Sequence, residues 1–128
     1  MHESSLPKIL VADDDLEIQK MVKAALQAVG AEIIIADDGE QALEMLLVEK
    51  PNLVILDVMM PKLSGWEVAK YIREHSQLKS IKILMLTGIG QQVNEATSPL
   101  VGADDFLDKP FTFEDLADRV RVLLDVSA

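Results

Sequence analysis

Five short apolar runs punctuate the chain, and most are followed by a stretch in which apolar residues recur at helical spacing. The runs are Lys8-Ile-Leu-Val-Ala12, Glu32-Ile-Ile-Ile-Ala36, Leu53-Val-Ile-Leu-Asp57, Ile81-Lys-Ile-Leu-Met-Leu-Thr87 and the shorter Asp104-Asp-Phe-Leu-Asp108. All five predict strands, and the unbroken apolar run at Leu53, between Pro51 and Pro61, predicts a strand buried on both faces. Between them, Ile18, Met21, Val22, Ala25, Leu26 and Val29 mark a first helix, with Asp15 as its N-cap and Gly30 as its stop. Ala42, Leu43, Leu46 and Leu47 give a second helix its apolar face, behind Asp38 and before Lys50-Pro51. Val68, Ala69 and Ile72 mark a third behind Ser64. Leu116, Val120, Leu123 and Leu124 form the stripe of a last helix capped by Thr112. A helix is expected over 91–102 as well, on a weaker pattern. There Ser98-Pro99 suits the start of a new turn, because proline inside a helix removes a donor and clashes one turn back.

Strand–helix alternation with short connections predicts an α/β fold: a parallel sheet with helices on both faces, doubly wound. The expected organisation is a flexible leader over residues 1–7 and a single domain over 8–126. Composition agrees. A hydrophobic fraction of 49% supplies a core, and only 6 Gly and 5 Pro argue against disorder. The absence of cysteine excludes disulfides, thiolate metal sites and cysteine nucleophiles, and fits a reducing, cytoplasmic setting. The net charge of −10 argues against direct nucleic-acid binding. No apolar run approaches the roughly 20 residues needed to span a bilayer.

All strand carboxyl ends of a parallel sheet lie on one edge, where such folds bind ligands. This chain places Asp13 and Asp14, Asp57, Thr87 and Lys109 there. Asp37 and Asp38 also fall there, but a turn accounts for them. Two like charges about 4 Å apart cost roughly 4 kcal/mol at an effective dielectric near 20. Three such carboxylates need a cation, a proton or a use. Hard oxygen donors suit Mg²⁺, and a lysine and a hydroxyl beside them make a cradle for a phosphoryl group. Each piece alone has an ordinary explanation. Asp13-Asp14 can end a strand and cap a helix, Thr87 can be a plain strand residue, Lys109 can be solvated, and Pro110 can be a loop residue. Their coincidence at the right strand ends is the signal.

The pieces Val11-Ala-Asp13-Asp14, Leu56-Asp57-Val-Met-Met-Pro61 with Gly65, Thr87-Gly88 and Lys109-Pro110-Phe111 together resemble the receiver domain of two-component response regulators. The resemblance spans Lys8 to about Leu124. It implies a flavodoxin-like (βα)5 fold with strand order 2-1-3-4-5, and a signalling phosphoacceptor rather than an enzyme with a separate substrate. Asp57 is then the phosphoacceptor. Asp13, Asp14, Asp57 and the backbone carbonyl of Met59 surround Mg²⁺. Lys109 contacts the phosphoryl oxygens beside a cis bond to Pro110, and Thr87 and Phe106 form a switch pair. The implied partners are a sensor histidine kinase or phosphotransfer protein, and an output domain or protein engaged by the face of the last helices. Phosphorylation-dependent homodimerisation is left open.

Moving a two-state domain from 1:99 to 99:1 takes about 5.5 kcal/mol. One hydrogen bond to a charged group supplies about 1.5–3 kcal/mol. Thr87 alone therefore cannot carry the switch, and Lys109 and backbone donors near Gly88 must share it. Phe106 departs from the tyrosine common at this place and has no hydroxyl to exchange. Met59 and Ile89 are apolar and offer nothing to orient an attacking water, which predicts slow loss of phosphate. Three other readings compete. An aspartyl-phosphate enzyme would carry an acid two residues after its nucleophile, where this chain has Met59, and a cap insertion, which is missing. A flavin domain would need a phosphate loop where Asp13-Asp14-Asp15 stand. A receiver-like interaction module, never phosphorylated, would be expected to lack Asp57 or Lys109.

Overall fold

A computed structural model describes residues 6–88 and 102–124. The expected helix over 91–102 lies almost wholly outside them, as do Ser98, Pro99 and Ile89.

Strands β1 (Lys8–Ala12), β2 (Glu32–Ala36), β3 (Leu53–Asp57), β4 (Lys82–Thr87) and β5 (Asp105–Asp108) form one sheet. All neighbouring strands are parallel, in the order β2-β1-β3-β4-β5. The expected doubly wound fold is therefore the observed one. The last two strands each start one residue later than their apolar runs suggest.

Helices α1 (Leu16–Gln27), α2 (Gly39–Glu49), α3 (Gly65–Glu74) and α4 (Phe113–Leu124) flank the sheet. Each starts where an oxygen-bearing side chain takes an otherwise unpaired first-turn amide. Asp15 accepts from the Glu17 amide at 2.9 Å and Asp38 from Gln41 at 2.8 Å. Ser64 accepts from Glu67 at 3.2 Å while the Glu67 side chain returns the bond to the Ser64 amide. Thr112 accepts from Asp115 at 3.0 Å.

The core has two halves, one on each face of the sheet. Residues Leu10, Val54, Leu56, Ile83 and Met85 face α2 and α3, together with Leu46, Val68 and Ile72. The alternate residues Ile9, Val11, Leu53, Ile55, Leu84 and Leu86 face α1 and α4, with Leu26, Leu116 and Val120. This period-two split explains why β3 is apolar at every position: both of its faces are covered. Strand β2 lies at the sheet edge, and its three isoleucines are only half-buried.

The structure corrects the apolar face expected for α2. Leu47 is exposed, and the buried positions are Gly39, Ala42 and Leu46. In α4, Leu123 and Leu124 are half-buried at the margin of the core rather than within it.

Backbone pairing continues past the strands at the carboxyl edge. Asp13 N–H donates to Ala36 at 3.2 Å, Val58 N–H to Leu86 at 3.2 Å, and Lys109 N–H to Thr87 at 2.7 Å. The sheet ladder thus extends one residue beyond β1, β3 and β5.

Candidate functional site

That edge carries the candidate site. Asp57 is the last residue of β3 and is 5% exposed; Asp13, directly after β1, is fully buried; Asp14 is exposed. Carboxylate oxygens of these three residues lie within 4.8 Å of one another. Lys109 follows β5 and extends its ammonium to Asp57 Oδ1 at 3.0 Å and Asp13 Oδ2 at 3.7 Å. The Lys109–Pro110 peptide bond is cis.

Asp13 has two unlike oxygens. Its Oδ1 accepts the Asp15 amide at 2.9 Å, while among the described residues its buried Oδ2 has no hydrogen-bond partner. Its main-chain carbonyl is fixed by Gln19, whose amide donates to it at 2.6 Å and to Asp37 Oδ1 at 2.9 Å. Asp37 is thus part of the scaffold of this loop as well as a turn residue.

Among the described residues, one lysine paired with two of three clustered carboxylates leaves an excess of negative charge. Burial pushes the Asp13 carboxyl up to about 6. The Asp15 amide and Lys109 pull it down, while Asp57 and Asp14 push it further up. Asp57 is also raised, chiefly by burial, against the hydrogen bond and charge of Lys109. For Lys109, burial disfavours the ammonium, but the Asp57 hydrogen bond and the charges of Asp13, Asp57 and Asp15 outweigh it and raise its pKa.

These shifts carry a stability cost with a definite sign. A carboxyl whose folded pKa lies above its unfolded value contributes stability at low pH and loses it as pH rises through the folded pKa. For Asp13 that window runs from the ordinary 3.8 to about 6. Asp13→Asn should therefore stabilise the metal-free domain at pH 7.5, by on the order of 1–3 kcal/mol, and leave it unchanged near pH 4. Thermal unfolding in chelator at the two pH values measures this. Equal midpoints at pH 7.5 would mean that Lys109 already neutralises Asp13.

The donor set fits a hard divalent cation. It consists of oxygens only, and among the described residues it is short of positive charge and Asp13 Oδ2 is buried with no hydrogen bond, its nearest cation being Lys109 at 3.7 Å.

Two tight backbone approaches shape the rim. Gly65 packs so closely on β3 that a Cβ there would overlap the Asp57 carbonyl oxygen and lie 3.0 Å from Met85 Sδ. The Gly65 amide donates to the Val58 carbonyl at 2.9 Å. Met59, which follows Val58, is 62% exposed.

Thr87 ends β4 and is 1% exposed. Its hydroxyl donates to Asp108 Oδ1, and among the described residues no hydrogen bond joins it to Asp57. Phe106 is half-buried in β5, with its ring centroid 6.4 Å from that of Trp66 and the planes tilted by 52°. The structure thus brings together Asp13, Asp14, Asp57 and Lys109, and sets Thr87 beside them but turned to another partner. Asp108, Gln19 and Trp66 were not singled out by the sequence. Asp108 could have been found from the parallel register, which pairs it with Thr87.

A doubly wound α/β domain with a lysine-faced acidic cluster on the carboxyl edge of its sheet has its site where ligands of such folds bind, and its all-oxygen donors suit a hard cation. Comparison with known proteins narrows this reading. Residues 9–121 match the response regulator receiver domain, and the chain belongs to that family. It is 43% identical over 122 residues to the probable transcriptional regulator ycf27 of Cyanophora paradoxa, covering 95% of this chain and 50% of that protein. It is 41% identical over 117 residues to the transcriptional regulatory protein CpxR of Escherichia coli, covering 91% of this chain and 49% of that protein. The chain therefore spans about half the length of these curated relatives. Its fold superposes on the chemotaxis response regulator CheY4 of Vibrio cholerae with a TM-score of 0.85 at 35% identity, covering 93% of this chain and 99% of that one. The family places the chain in two-component signalling, where a receiver domain accepts a phosphoryl group. Among the described residues no helix is long and apolar enough to cross a membrane.

Proposed function

We propose that Asp57 is the phosphoacceptor and that Lys109, Thr87 and the acids Asp13 and Asp14 serve it. The observation that carries this reading is the pairing of a nearly buried Asp57 with the Lys109 ammonium at 3.0 Å, inside an acidic cluster short of positive charge. Asp13, Asp14, Asp57 and the Met59 carbonyl would hold Mg²⁺. When bound, Mg²⁺ supplies neutralisation of the charge that spreads over the phosphoryl oxygens.

The residues of the chain do the rest. An Asp57 carboxylate oxygen forms a bond to phosphorus as the phosphorus–nitrogen bond to a partner's phosphohistidine breaks, and the imidazole leaves. Lys109, released from its bond to the free carboxylate, faces the phosphoryl oxygens. The Thr87 hydroxyl turns to the new anion and Phe106 moves into the space it vacates. The expected donor is a cytoplasmic sensor histidine kinase or phosphotransfer protein. The expected receiver of the signal is an output domain or protein met by the face around β5 and α4. The domain acts on itself and turns over no other substrate.

Intact mass after incubation with acetyl phosphate tests the reading, with and without Mg²⁺, beside Asp57→Asn. Gain of one phosphoryl group is expected only with Mg²⁺ and only on the unsubstituted chain. A gain that survives Asp57→Asn would reassign the acceptor. No gain, together with failure to bind beryllofluoride, would favour an interaction module.

The exposed, apolar Met59 beside Asp57 offers no group to orient an attacking water. The phospho-form should therefore outlast minutes in Mg²⁺ buffer. Loss within seconds, followed by intact mass after removal of acetyl phosphate, would reject that expectation.

A further inference from the structure

The Thr87 hydroxyl has one proton to donate, and the fold offers it a charged acceptor other than the phosphorylation site. Thr87 and Asp108 stand opposite each other in the register of β4 and β5. The Lys109 amide locks that register by donating to the Thr87 carbonyl at 2.7 Å. Across this pair the buried hydroxyl donates to Asp108 Oδ1. Among the described residues Asp108 has no cationic partner, so Thr87 holds its only side-chain hydrogen bond. A hydroxyl bound to a carboxylate is held more strongly than one bound to a neutral acceptor.

We propose that Asp108 is a positioning residue that restrains Thr87 in the resting state and so sets how readily the domain responds to phosphorylation. This rests on the reading of Asp57 as phosphoacceptor and extends it. The phosphoryl group and Asp108 compete for the same donor. Thr87 reaches the phosphoryl group only by leaving Asp108, so the response is an exchange of one charged acceptor for another. Asp108 thereby lowers the population of the responsive conformation. Apparent affinity for a phosphoryl mimic is reduced by that same fraction.

The test is a double-mutant cycle on the purified chain, with beryllofluoride and Mg²⁺ titrated calorimetrically. Asp108→Ala should tighten beryllofluoride binding about fivefold. Asp108→Asn keeps the shape and a neutral acceptor, and should fall between that variant and the parent. In a Thr87→Val background, Asp108→Ala should have no effect, because the donor it restrains is gone. This last comparison separates restraint from simple charge repulsion, which would tighten binding equally in both backgrounds and would overturn the proposal. Unchanged affinity in both backgrounds would overturn it too, while leaving the phosphoacceptor reading intact. Failure of the parent chain to bind beryllofluoride at all would remove that reading and the proposal with it.

Discussion

Gly65→Ala should destabilise the domain by about 2–4 kcal/mol and disable the site. The sign is opposite to the usual one. Gly65 opens α3, and replacing glycine by alanine within a helix ordinarily gains up to about 1 kcal/mol. Here the added methyl would overlap the Asp57 carbonyl oxygen, which is main chain and part of the sheet, and would press on Met85 Sδ at 3.0 Å. The β3 backbone cannot yield without disturbing its pairing with Leu86. What gives way is the start of α3, and with it the bond from the Gly65 amide to Val58. Urea unfolding measures the loss, and acetyl phosphate labelling should fall in parallel. A variant as stable as the parent would show that the loop and helix re-seat without strain.

Lys109→Met should have the second large effect, and its pH dependence identifies the cause. Among the described residues, removal of the ammonium leaves Asp57, Asp13 and Asp14 without a counter-charge. The raised pKa values of Asp57 and Asp13 then rise further. Carboxyls of this kind lose stability as pH increases through their folded pKa. The variant should match the parent near pH 4 and fall below it at pH 7.5, by about 1–3 kcal/mol after allowing for the partial exposure of Lys109. Acetyl phosphate labelling should slow about 100-fold, the typical effect of losing one preorganised electrostatic contact. Lys109→Arg keeps the charge and should restore the stability at pH 7.5. A deficit equal at both pH values would mean that packing of the lysine stem, and not its charge, holds the site.

The strand ends were legible because the apolar runs stop at polar side chains where the strands leave the sheet. Asp13, Asp57 and Thr87 each close or directly follow such a run and Lys109 follows the last strand, so topology places them on one edge. Caps were equally readable: Asp15, Asp38, Ser64 and Thr112 each accept a first-turn amide. The α2 face was misjudged at Leu47 because period alone does not say how far a helix turns away from the sheet, and the stripe actually buried runs through Ala42 and Leu46. Asp108 was missed for a different reason. Its meaning lies in a residue 21 positions earlier, and only the strand register makes them neighbours. Gln19 escaped likewise: on a helix wheel it is a surface polar residue, yet it ties the β1 and β2 loops together. The unlike roles of the two Asp13 oxygens also depend on distances that no pattern encodes.

The ring contact between Trp66 and Phe106 gives the domain an internal clock hand. Trp66 is the sole tryptophan of the chain, so its emission has one source. It sits at the first turn of α3, beside the Gly65 approach to Asp57, and against Phe106, the aromatic residue proposed for the switch. Any displacement of Phe106 alters the surroundings of that indole. Rapid-mixing fluorescence can therefore time a rearrangement at β5 without label or substitution, and separate its rate from that of the chemistry proposed at Asp57.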